Sequence, residues 1–92
     1  MTDAEALMRF GTLGPIVRHY KGGIYHILER GLGHYKESVQ LSPTHEEFYS
    51  YTHLWPHAPG LHFRSVDEFK NAHTADGSPK WIHLNPTIHP LP

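Results

Sequence analysis

The chain has 92 residues, 38% of them hydrophobic and 12% aromatic, with a formal charge of −1, eight glycines, eight prolines and no cysteine. This is enough apolar material for one small domain with a thin core, and it excludes a disordered chain. The absence of thiols excludes disulfides, thiolate metal sites and thiol catalysis, and the near-zero charge argues against a protein held on nucleic acid by phosphate contacts alone.

The first ten residues carry Asp3, Glu5 and Arg9, so no signal peptide is expected, and no window approaches the ~18 apolar residues of a membrane span. The expected setting is the cytoplasm, with no membrane partner. Ten histidines are the compositional oddity: protonating them all adds ten charges to −1, giving +9. Most are read as neutral, half-buried polar rings; as a group they make solubility and ligand affinity sensitive to pH between roughly 7 and 5.

In chain order, Thr2-Asp3-Ala4-Glu5 has the form of a capping box, and Ala4, Leu7 and Met8 follow at helical spacing. The pattern predicts a helix of about two turns, ended by Gly11 and Gly14-Pro15. Residues 1–14 form this helix and turn, 15–84 the body of the domain and 85–92 a tail. Ile16 and Val17 lead into Arg18-His19-Tyr20-Lys21-Gly22-Gly23-Ile24-Tyr25, a polar cluster before a glycine pair that can turn sharply. Gly23 to Leu28 reads as a strand, with Ile24, His26 and Leu28 on one face and Tyr25 and Ile27 on the other. Gly31 and Gly33 predict an interruption, a bulge or a bend, and His34 to Leu41 a second strand with Tyr35, Val39 and Leu41 as its apolar members. Ser42-Pro43-Thr44 reads as a turn.

Glu46 to Trp55 is the clearest strand. Phe48, Ser50, Thr52 and Leu54 alternate with Tyr49, Tyr51, His53 and Trp55, so one face carries four successive rings. Those rings are either a core face or a stacking platform for a planar ligand. Pro56 to Gly60 is a loop and Leu61 to Arg64 a short strand. Ser65-Val66-Asp67-Glu68 is a second capping box, predicting a helical turn over Val66 to Asn71 anchored by Val66 and Phe69. Trp81 to Leu84 is a last strand, with Ile82 and Leu84 facing in. The proline-rich tail is expected to be extended, free or lying along a neighbour. The order predicts a mainly β fold: an SH3-like barrel of about five short strands, with an N-terminal helix and one helical turn before the last strand.

Four stretches together resemble a short bacterial and phage family of unknown function. Its members open on a basic and aromatic pattern ending Lys-Gly-Gly-or-Asn-x-Tyr, matched here by Arg18 to Tyr25. Glu47 to Trp55 is similar to its middle strand, with Tyr51 and Trp55 in the two ring positions. Leu61 to Phe69 resembles its Leu-Trp-Val-Arg-Pro-x-x-x-Phe segment, with His62 replacing the tryptophan and Ser65 the proline. Pro79-Lys80-Trp81-Ile82-His83-Leu84 resembles its closing pattern. The resemblance covers residues 18 to 84. It implies a small SH3-like barrel and no catalytic residues.

No nucleophile elbow and no glycine-rich phosphate loop is visible, and a barrel this small leaves little room for a deep catalytic pocket, so no enzyme is expected. His53-x3-His57 and His57-x4-His62 have spacings zinc could use, but spacing alone does not fix tetrahedral geometry. No metal or cofactor is assigned, and a histidine-based metal protein stays as a lesser alternative. The favoured reading is a ligand-binding module. Arg18, Lys21 and Arg64 supply positive charge for phosphate or carboxylate; Tyr20, Tyr25, Tyr51 and Trp55 supply rings; His19 and His62 donate or accept according to pH. Rings with cations suit a small nucleotide-like ligand. By analogy with the family's phage members, such a protein would sequester a host immune-signalling nucleotide. The alternative is a protein-interaction adaptor using an aromatic groove and the proline-rich tail. A thin barrel with an amphipathic helix also predicts a homo-oligomer.

Overall fold

The computed structural model describes the backbone of residues 1–35 and 41–92 and the side chains of residues 1–31 and 47–92. Its elements are α1 (Asp3–Phe10), β1 (Ile16–His19), β2 (Ile24–Tyr35), β3 (Leu41–Trp55), β4 (Leu61–Ser65), α2 (Val66–Asn71) and β5 (Trp81–His83). All pairings are antiparallel, in the order β4-β3-β2-β1-β5. Four strands meander and the fifth returns beside the first, as expected for an SH3-like barrel with a helical turn before its last strand.

Successive residues of β1 go to opposite faces, and this divides the apolar side chains in two. Val17 joins Ile27, Tyr49, Tyr51, Val66, Phe69 and Trp81 in the larger cluster, and Ile16 joins Ala6 and Ile24 in a smaller one under α1. The larger cluster joins α2 to the sheet. Phe69 on α2 meets Tyr49 and Tyr51 on β3 at 5.3 and 5.5 Å and Trp81 on β5 at 4.5 Å, centroid to centroid.

The expected helices form for the expected reasons. Thr2 and Glu5 make a reciprocal capping box at α1. Ser65 caps α2 by accepting from the Glu68 amide, but the Glu68 carboxylate turns instead to Arg64, so the second box is half made. The buried face of α1 differs from expectation. Ala6 is fully buried, whereas Ala4, Leu7 and Met8 are exposed, because the small Ala6 side chain lets the helix lie close on Ile16 and Ile24.

Four strand assignments are corrected. Ile16–His19 is a strand, so Arg18 and His19 belong to β1 and Tyr20 to Gly23 make the turn into β2. Gly31 and Gly33 do not end β2, which runs on to Tyr35 because β3 continues as its partner to Leu41; the expected bulge is present as a register shift between Gly33 and Tyr35. Ser42-Pro43-Thr44 lies within β3; the described β3–β4 pairing covers Phe48 to Thr52 and does not reach Pro43, so its missing N–H breaks none of those bonds. Val39, placed in a second strand from sequence, lies outside the described residues. In β5, Trp81 faces the larger cluster, while Leu84 packs on the smaller one.

The tail is neither free nor fully extended. The His89 amide donates to the Asn85 carbonyl at 2.9 Å, and Leu91 packs against the larger cluster. Among the described residues no helix is long and apolar enough to cross a membrane.

Candidate functional site

The sheet places one row of rings beyond the apolar core. His19 on β1 is opposite Trp81 on β5, Tyr25 on β2 is opposite His53 on β3, and Tyr51 on β3 is opposite His62 on β4. These positions share the face of Val17 and Ile27, so a single side of the sheet passes from aliphatic packing into polar aromatics. The result is a cavity of about 500 Å³ lined by His19, Tyr25, Tyr51, His53, His62, Arg64 and Trp81.

Tyr25 is the hub. Its ring lies 4.6 Å from His53, 5.2 Å from Trp81 and 5.6 Å from Tyr51. The turn before it is built for this. Gly22 has φ +101°, a conformation costly for side chains, and a Cβ on Gly23 would come within 2.9 Å of the Tyr25 ring. The glycine pair therefore lets Tyr25 fold back over the turn. His62 stacks on Tyr51 at 5.5 Å with an interplanar angle of 28°.

Arg64 supplies fixed charge. Its Nε donates to the Tyr51 hydroxyl at 3.2 Å, one terminal nitrogen donates to Glu68 at 2.6 Å, and the guanidinium lies 5.7 Å from the Trp81 ring. Burial opposes the charged form, but the Tyr51 hydrogen bond and the Glu68 carboxylate outweigh it and raise the pKa. The cation is thus held in one orientation over an aromatic floor. Tyr25 is pushed upward by burial and by Tyr51, so it remains a neutral phenol.

His19 accepts the Lys21 amide on Nδ1 at 3.3 Å, which leaves the proton of the neutral ring on Nε2. Burial, then Arg64, Lys21 and Lys80, lower its pKa. His53 is lowered by burial and by the neighbouring His62 and His57, His26 by burial and His89, and His83 by burial and Lys70. All four favour the neutral ring in the fold, so the unfolded chain binds more protons below the ordinary value of about 6.5. Stability is expected to be complete above that value and to fall as pH falls through it. Thermal melts at pH 7.5, 6.5 and 5.5 check this: the melting temperature should drop at each step.

Not every residue singled out from sequence converges here. Arg18 is on the opposite face of β1 and pairs with Asp3 at 2.7 Å. Trp55 leaves the row of Tyr49, Tyr51 and His53 because the β2–β3 register shifts between Ile24 and Tyr25; it pairs with Ile24 and packs in the smaller cluster. Tyr20 is exposed at the rim, its ring 4.5 Å from His19, with the Lys21 and Lys80 ammonium groups 5.8 and 5.9 Å from it. Lys21 and Trp55, with Gly22, Gly23, Pro56 and His57, line an adjoining concavity of about 410 Å³ that also includes His19 and Tyr25.

The sequence reading does not place Trp81 or His53 in the site. The signal for His53 was its place between Tyr51 and Trp55; Trp81 stands in a strand too short for alternation to reveal its face. His53 contacts His57 and His62 at ring distances of 5.4 and 4.7 Å. Even so, among the described residues no group of three or more His, Cys, Asp or Glu side chains is arranged to hold a metal ion. Neither a protein-family model nor a curated protein nor a solved structure matches the chain.

Proposed function

We propose that the protein is a non-enzymatic binding module for a small, planar, anionic molecule of nucleotide type. The observation that carries this is Arg64, oriented by Tyr51 and Glu68 above Trp81, inside a cavity walled by Tyr25, Tyr51 and His62. Aromatic faces bind bases without demanding one sequence of donors, and a guanidinium fork grips phosphate. The volume of about 500 Å³ lies in the ~300–1,000 Å³ range of small-molecule sites. Sequestration of a host immune-signalling nucleotide, as a phage protein would use it, is the role proposed by analogy with the phage members of the family that residues 18 to 84 resemble. A homo-oligomer would cover exposed Met8, Leu13 and Ile88. The alternative is a protein-interaction adaptor using an aromatic groove and the tail, in which Leu91 packs on the larger cluster while Ile88 is exposed.

Calorimetry with a panel of nucleoside mono- and diphosphates tests the reading. At least one should bind, and heat denaturation should release it intact. Arg64→Ala should weaken binding roughly 30-fold or more, the loss expected of a charge-assisted contact of ~2 kcal/mol. Arg64→Lys, which keeps charge but loses the fork, should fall between. A panel that gives no heat, or a ligand recovered chemically altered, would overturn the proposal.

A further inference from the structure

The ring-lined cavity and the concavity beside the glycine turn share His19 and Tyr25, which stand between them as a common wall. The two spaces, about 500 and 410 Å³, are each of a size that takes one ring system with its sugar. They differ in lining. One offers Tyr51, His62 and Trp81, and the other offers Trp55, Pro56 and His57 against a turn that carries no side chain at Gly22 or Gly23. A Cβ placed on Gly22 would meet nothing within 4 Å, so the turn leaves that approach open.

Charge concentrates at the wall between them. Arg64, Lys21 and Lys80 all act on the His19 ring, each disfavouring its protonation, and Glu68 acts in the opposite sense. The four charges come from β4, the β1–β2 turn, the residue before β5 and α2, so the net positive potential is a property of the assembled site. An anionic group over the wall would meet that potential, with the Nε2–H of His19 as a donor set by its Nδ1 hydrogen bond.

We infer that the ligand is two-headed: one planar head lies in the ring-lined cavity, the second lies against Trp55, Pro56 and His57, and a phosphate bridge crosses the His19–Tyr25 wall. This rests on the reading of the cavity as a nucleotide-type site. It narrows the ligand class to molecules in which two ring-bearing groups are joined through phosphate. Joining the heads makes the second contact intramolecular, so affinity should exceed that of either half.

Calorimetry on the full chain compares nucleoside monophosphates with the matching dinucleoside diphosphates. The two-headed probe is expected to bind about tenfold or more tighter than its monophosphate. His57→Ala, at an exposed position lining the second concavity, should remove most of that advantage, bringing the ratio of the two affinities to about twofold or less. Equal affinity of the two probes, or equal weakening of both by His57→Ala, would overturn the two-headed inference and leave the single-cavity reading standing. Failure of every probe to bind would overturn that reading and this inference with it.

Discussion

Replacing Trp81 by alanine is expected to destabilise the protein by ~3–5 kcal/mol, the range for removing a buried aromatic from a packed core. Trp81 is 5% exposed, and its ring meets Phe69 and His19 at 4.5 Å and Tyr25 at 5.2 Å. It belongs to a three-residue strand held to β1, so its side chain, more than its backbone, joins β5 to α2 and to the middle of the sheet. Against a typical stability of ~5–15 kcal/mol for a domain, the loss would remove a large share. Urea denaturation checks it: the midpoint should fall with the slope unchanged, since the same surface is exposed on unfolding. Trp81→Phe should cost much less than Trp81→Ala, because it keeps a ring against Phe69. An alanine variant as stable as the parent would mean that β5 is held chiefly by its backbone pairing.

The same residue shows where sequence reasoning stopped. Alternation needs several residues to declare itself, and Trp81 to His83 offers three. Glu46 to Trp55 offered ten, and its rings at Tyr49, Tyr51 and His53 do share a face. The alternation failed only at Trp55, where a register shift between neighbouring strands moves the ring across the sheet. Such a shift depends on how two strands meet and leaves no mark in either one. The helices were legible because their caps are local: Thr2 with Glu5, and Ser65 with the Glu68 amide, act within four residues. Ile16–His19 looked like the approach to a turn, since half of it is polar. It is a strand because β2 and β5 pair on either side, which is a tertiary cause. The site followed the same rule. Tyr25, Tyr51, His62 and Arg64 could be chosen by residue type on predicted strands, whereas their convergence with Trp81, and the divergence of Arg18 toward Asp3, required the order of the strands.

The tail gives the second large effect. Asn85→Ala is expected to cost ~2–4 kcal/mol, from two backbone groups that each lose a buried partner, at the lower end of ~1–3 kcal/mol apiece. Asn85 is 5% exposed; its Oδ1 accepts the Ile16 amide at 3.0 Å and its Nδ2 donates to the Gly14 carbonyl at 2.8 Å. The side chain therefore does what a neighbouring strand would do, satisfying the chain where it leaves the Gly14 turn and enters β1. Gly14 has φ +136°, so the turn depends on its glycine and has little freedom to find another partner for its carbonyl. Ile16 is fully buried, which shuts out water as a substitute for the lost acceptor. The Leu84 amide also donates to the Ile16 carbonyl, at 3.0 Å, so the end of β5, Asn85 and the start of β1 form one connected unit. Thermal melts should show a fall on the order of 10–30 °C, given ~4–8 °C per kcal/mol for a domain of this size. Asn85→Asp separates the two bonds. It keeps an acceptor for Ile16 but sets a carboxylate against the Gly14 carbonyl, so above pH 6 it should be destabilised as well. Acidification that protonates the new side chain should narrow its deficit relative to the parent at the same pH, because an acid hydroxyl can again donate to Gly14. A constant deficit across that range would assign the cost to packing and remove the Gly14 hydrogen bond from the account.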